Sequence, residues 1–334
     1  MRNLNSKAIR PEMVMITLVV MAISMYALVV AADSDPPATS TPKPPPFPSG
    51  ETIRFAVIGD FGNGSAAERR VADLIAGWNP DFVITTGDNN YPDGDASTID
   101  ANIGQFYSQF IGNYQGSYGS GSDVNRFWPS LGNHDWHTID CTGSDCSGAY
   151  FDYFTLPGNE RFYEVDYGLV HLFAVDSEVL EPEGVQASSP QANWLRDALA
   201  ASTACFDVVF FHHAPYSSGS HGSSVYMRWP FQEWGAEVVM AGHDHTYERI
   251  HASGFPYFVN GAGGKSLYAF THVGTLPAGV ESVLRYNTDY GAMLVTASAS
   301  GIIYQFYNTS NQLVDELAVP KGCSRKNYLP LLIR

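Results

Sequence analysis

The chain has 334 residues, with 34 acidic against 18 basic side chains and a formal net charge of −16. That balance argues against nucleic acid or an anionic membrane surface as partner. Four cysteines, none in a C-x-x-C pair, exclude a thiolate metal site, so any bound metal must use oxygen and nitrogen ligands.

The first fifty residues do not read as part of a folded core. Arg2, Lys7 and Arg10 precede an uncharged apolar run over 13–32, which ends in small residues before Asp33. This order predicts a secretory signal over 1–32, or an N-terminal anchor if it is not cleaved. A proline-rich linker follows over 33–50. The rest is then expected outside the cytoplasm, where Cys141 and Cys146 should pair across a short loop and Cys205 with Cys323 is a second candidate pair. Residues 51–320 form one domain, and 321–334 make a basic tail of unassigned role. Oligomeric state is not legible.

Short apolar runs at 52–59 and 81–86 predict buried strands on either side of a helix over 65–77, with Ser65 as N-cap and Gly77 as stop. A loop-rich stretch over 93–126 holds one helix around 99–111. Further buried strands are expected at 169–175, 206–211 and 237–240, with helices over 191–201 and 226–234. After Ile250 the pattern becomes strands alone, at 257–260, 292–297, 302–307 and 312–319. Helices alternating with strands, then strands alone, predict an α/β fold of two packed sheets flanked by helices.

Several of these runs end in short polar motifs: Gly59-Asp60-Phe61-Gly62, Gly87-Asp88-Asn89-Asn90-Tyr91, His212-His213-Ala214-Pro215 and Gly242-His243-Asp244-His245. Gly132-Asn133-His134-Asp135 follows Trp128 in the same manner. Taken singly, each reads equally well as a turn, a cap or a packed loop histidine. Carboxyl ends of parallel strands converge on one crevice, so five such motifs would gather carboxylates, imidazoles, a phenol and an amide.

In their order, GDFG, GDNNY, GNHD, HHAP and GHDH resemble the five blocks of the calcineurin-like metallophosphoesterases. Tyr91 within GDNNY resembles the purple acid phosphatases, and the spacing is similar to their small tartrate-resistant form. The likeness runs from about Ile53 to Val319. It implies a four-layer α/β/β/α sandwich of two mixed sheets and two metal ions. One, Fe(III), would be held by Asp60, Asp88, Tyr91 and His245; the other, Fe, Zn or Mn, by Asp88, Asn133, His213 and His243. Hard phenolate and carboxylate donors suit the trivalent ion, and an amide with two imidazoles the divalent one.

His213 is preferred to His212 because it directly precedes Ala214-Pro215, which leaves His212 pointing elsewhere, since alternate residues of a strand face opposite ways. The resemblance further implies an acid phosphatase that hydrolyses small phosphate monoesters by attack of a metal-bound hydroxide. His134 and His221 would steady the phosphoryl group or protonate the leaving group, with Asp135 orienting His134. Two alternatives stay open: a phosphodiesterase or nucleotidase on the same scaffold, and a non-catalytic surface binding protein.

Overall fold

The computed structural model describes residues 52–323. The expectations for 1–50 and for 324–334 lie outside these residues.

Strand β1 (Ile53–Ile58) is followed by helix α1 (Ala66–Trp78), β2 (Phe82–Thr85) and β3 (Phe127–Pro129). A small hairpin, β4 (Asp140–Thr142) and β5 (Asp145–Ser147), precedes β6 (Tyr163–Asp166) and β7 (Val170–Ala174). Helix α2 (Pro190–Ala201), β8 (Phe206–His213), β9 (Val238–Gly242), β10 (Tyr247–Ala252), β11 (Phe255–Asn260) and β12 (Val280–Tyr286) come next. The described fold closes with β13 (Gly291–Ser298), β14 (Gly301–Asn308) and β15 (Leu313–Pro320).

One sheet has the order β15-β14-β13-β1-β2-β3, the other β12-β10-β11-β9-β8-β7-β6. Both are mixed: β1, β2 and β3 run parallel in the first, as do β7, β8, β9 and β11 in the second. Their apolar faces meet in a core that includes Phe55, Val57 and Val295 from the first sheet and Leu172, Phe210 and Met240 from the second. Outside, α1 packs Val71 and Ile75 onto the first sheet. Helix α2 packs Ala192, Leu195 and Leu199 onto Val209 and Val239 of the second. These are the four layers expected.

Sequence chemistry explains the elements that place the site. Strand β1 is an apolar run because both its faces are covered. Helix α1 starts at a capping box: Ser65 Oγ accepts the N–H of Glu68, and the Glu68 carboxylate accepts the N–H groups of Asn63 and Gly64. The helix runs through Gly77 and stops at Asn79, which takes the left-handed conformation.

Some expectations shift. The helix around 99–111 is a broken run of α, π and 3-10 turns over 96–110. The helix over 226–234 shrinks to a turn at Val225–Met227 and one at Phe231–Trp234, with Pro230 between them. Strand β10 escapes the hydrophobic pattern because it carries Glu248 and Arg249. Their partners are distant in sequence: Arg285 meets Glu248 at 3.1 Å, and Asp315 meets Arg249 at 2.7 Å. Both disulfides, Cys141–Cys146 and Cys205–Cys323, are present.

Candidate metal centre

The carboxyl ends of β1 and β2 and the turn after β3 supply Asp60, Asp88 and Asn133. The second sheet supplies His212 from β8, and His243 and His245 from the turn after β9. The two sheets thus face each other across one crevice. Three of these residues sit in the left-handed region: Asp60 at φ 54°, Asp88 at φ 53° and His243 at φ 70°. Each such residue costs about 1 to 3 kcal/mol and persists only where the surroundings impose it. Glycines permit the crowding: a Cβ on Gly132 would lie 2.2 Å from the Asp88 nitrogen, and one on Gly242 2.5 Å from Asp60 Oδ2.

The first cluster gathers Asp60, Asp88, Tyr91 and His245. The Tyr91 hydroxyl donates to Asp88 Oδ2 at 2.8 Å and lies 3.1 Å from His245 Nε2 and 3.4 Å from Asp60 Oδ1. His245 Nδ1 faces the Ser266 carbonyl at 2.7 Å, which requires the proton on Nδ1 and turns the Nε2 lone pair inward. Tyr268 stacks on the His245 ring at 3.9 Å.

In the second group His212, His213 and His243 each bring a ring nitrogen within 4.8 Å of the others, so His213 stands near where it was expected, and His212, expected to point elsewhere, joins it. His212, buried at 0 % exposure, turns its Nε2 to 3.1 Å from Asn133 Oδ1, 3.1 Å from His243 Nδ1 and 3.5 Å from Asp88 Oδ1. Its Nδ1 donates to the Thr86 carbonyl at 2.8 Å. His213 borders the cluster, but its Nδ1 lies 3.0 Å from Ser177 Oγ and its Nε2 3.9 Å from Glu178 Oε2. His212 continues the face of Phe206, Val208 and Phe210, which line the core between the sheets, whereas Val209 and Phe211 face the helix side. Between Phe210 and His213, β8 carries one more residue than β9 does between Met240 and Gly242. Past that extra residue His213 stays beside the cluster, its ring 5.0 Å from that of His212 and 4.4 Å from that of His243.

The remaining predicted residues lie at the rim. His134 places Nε2 3.9 Å from Asp88 Oδ2, while its Nδ1 meets the Pro92 carbonyl. His221 is exposed; its ring stacks on His243 at 4.1 Å, and its N–H donates to Asp244 Oδ1. Asp135, expected to orient His134, directs its carboxylate elsewhere. It accepts N–H groups of Gly132, Asn89 and Asn90 and the Asn89 amide, so it ties two metal-site loops together. Ser177, Tyr268 and the carbonyls of Thr86 and Ser266 went unnoticed in the sequence, because only contacts reveal them.

Electrostatics match this geometry. Burial opposes ionisation of Asp88, but His212 and His134 outweigh it and hold the carboxyl below its ordinary value. Burial likewise disfavours a charged His212, yet Asp88 and Asp60 raise its pKa. Burial, then His212, pushes His213 down to about 3. Burial and the surrounding histidines drive His243 lower still. Burial, then Asp60 and Asp88, holds the Tyr91 phenol well above its usual range. Lone pairs and carboxylates thus face one another at both clusters, an arrangement that a cation in each would satisfy. The donor set fits two hard or borderline ions.

Residues 53–247 match the family Calcineurin-like phosphoesterase. The chain belongs to that family, and it is a metallophosphoesterase hydrolase. Its relatives place it on the purple acid phosphatase branch. Purple acid phosphatase 17 of Arabidopsis thaliana is 28% identical over 249 residues, spanning 66% of this chain and 71% of that one. Purple acid phosphatase 4 of the same plant is 26% identical over 314 residues, 86% and 88% of the two chains. Among solved structures, GAP50, the anchor in the inner membrane complex of Plasmodium, shares the fold with a TM-score of 0.58 at 18% identity, covering 80% of this chain and 89% of its own. Family and relatives together imply a dinuclear metal centre and small phosphorylated substrates.

Proposed function

We propose that this protein is an acid phosphatase that hydrolyses phosphate monoesters at a dinuclear centre. The first site is Asp60, Asp88, Tyr91 and His245, which suits Fe(III). The second is Asp88, Asn133, His212 and His243, which suits a divalent ion; His212 takes the place first given to His213. The observation that carries this reading is the convergence of acceptor atoms on Asp88, one oxygen toward each cluster: Oδ2 2.8 Å from the Tyr91 hydroxyl and Oδ1 3.5 Å from His212 Nε2.

Two bound cations would supply Lewis-acid activation of the ester phosphate and of the attacking water. The chain's own residues do the rest. Thr86 and Ser266 carbonyls fix the tautomers of His212 and His245, and such outer partners hold a metal-binding ring in register. Asp135 locks the loops of Asp88 and Asn133 together. His134 and His221 stand at the open rim, where an imidazolium can steady phosphoryl oxygens or pass a proton to the leaving alkoxide. Two disulfides suit an oxidising, extracytoplasmic setting.

The binding-protein alternative has one observation in its favour, since GAP50 is described as an anchor. Against it stands the complete acceptor set here. The test is metal analysis of purified protein, with hydrolysis of an aryl phosphate monoester and of the matching diester followed across pH. Two metals per chain and faster monoester turnover in acid are expected. A protein with two metals and no turnover would reverse the reading, and faster diester turnover would move it to a phosphodiesterase.

A further inference from the structure

The loop after β11 passes directly over the first cluster. The N–H of Lys265 donates to the Asp60 carbonyl at 2.9 Å, and the next residue, Ser266, holds His245 through its own carbonyl. Tyr268 N–H then donates to the His245 carbonyl at 3.0 Å. The approach to this loop is tight: a Cβ on Gly263 would lie 2.3 Å from the Gly59 carbonyl oxygen. The backbone of Lys265 is therefore fixed with respect to the cluster on both sides.

Its side chain has an unusual position. Lys265 Nζ lies 4.5 Å from the centroid of the Tyr91 ring, within the range of a cation–π contact. Among the described residues, no carboxylate and no hydrogen-bond acceptor is paired with this ammonium. In a chain with a net charge of −16 that is notable, since carboxylates are plentiful. A surface lysine usually projects its ammonium into water or onto such a carboxylate. This one lies against the ring whose hydroxyl enters the cluster.

We propose that Lys265 is a positioning residue that acts through Tyr91, its positive charge over the ring setting how strongly the tyrosine oxygen donates electrons to the metal of the first site. The inference rests on the reading of Tyr91 as a ligand of Fe(III). A cation beside the ring stabilises electrons on the phenolate more than electrons on the more distant metal. Moving an electron from tyrosine to iron, the event behind a visible charge-transfer band, then takes more energy. The same charge favours the reduced state of the iron.

Comparison of Lys265→Met, Lys265→Gln and Lys265→Arg with the unchanged protein, each loaded with iron, tests this. Absorption spectra and reduction potentials are recorded together with iron content. With the charge removed, the band should move to longer wavelength by an amount on the order of 10 nm, as expected for loss of a unit charge at this range. The potential should fall, iron content should hold, and Lys265→Arg should return the band toward its original position. A band at the same wavelength in all four proteins would overturn the proposal while leaving the Tyr91 reading intact. Loss of iron in the Met and Gln variants would also overturn it, since tuning does not alter occupancy. Absence of any visible band in the unchanged iron-loaded protein would instead reject the Tyr91 reading beneath it.

Discussion

The Nε2 atom of His212 lies 3.1 Å from the amide oxygen of Asn133, across 79 residues of chain and two different sheets. With His212 neutral and its proton on Nδ1 toward Thr86, Nε2 turns a lone pair to the Asn133 oxygen, whereas the protonated ring that Asp88 and Asp60 favour would donate to it. A shared cation would favour the neutral ring by taking the lone pairs of both atoms. The assignment of the second site turns on this pair.

Substitution separates the two neighbouring histidines. His212→Ala should lose one metal equivalent and at least about 100-fold in kcat, a loss that even outer partners of a metal can reach. His213→Ala should keep both metals. Elemental analysis of the two variants checks the point, and the opposite result would restore His213 as the ligand.

Tyr91→Phe removes the phenol and leaves the ring. Iron-loaded protein should show a visible band that this variant lacks, while circular dichroism stays unchanged. A colourless iron-loaded wild type would remove Fe(III)–tyrosine coordination from consideration.

Metal removal should destabilise the fold. The cation-free site holds carboxylates and imidazole lone pairs against one another, so binding favours the native state. At metal concentrations about 100 times Kd the gain is about 2.7 kcal/mol. Thermal unfolding with and without a chelator reads it; an unchanged Tm would mean that the site is not loaded.

Glu68 should make stability pH-dependent away from the metal centre. Its carboxyl is fully buried, Oε1 lacks a hydrogen-bond partner, and burial raises its pKa to about 8 despite the N–H groups it accepts. The folded protein therefore holds a proton that the unfolded chain releases above its ordinary value near 4.5. Stability from this group is complete below that value and is lost as pH rises toward 8, by at most a few kcal/mol. Glu68→Gln should flatten the decline of Tm between pH 5 and 8, and parallel curves for the two proteins would refute the assignment.

Much of the site was legible because its chemistry is local. Asp60, Asp88, Tyr91 and His245 each follow a strand by only a few residues, and an apolar run marks each strand. The same holds for β1, β2, β13 and β14, whose hydrophobic residues face covered layers. Strands β10 and β12 were missed because their burial is shared with charged partners far along the chain. Asp135 was misdirected toward His134, its neighbour in sequence, whereas its carboxylate binds Asn89 and Asn90 from another loop.

By itself, the order of residues determined which donor groups this protein carries and that strand ends would present them. How two adjacent histidines share the crevice was decided only by tertiary structure. Alternation within β8 puts His212 on the face of Val208 and Phe210, but only the packed sheets show that this face meets Asn133 and Asp88 and that a bulge after Phe210 brings His213 to the border of the same crevice.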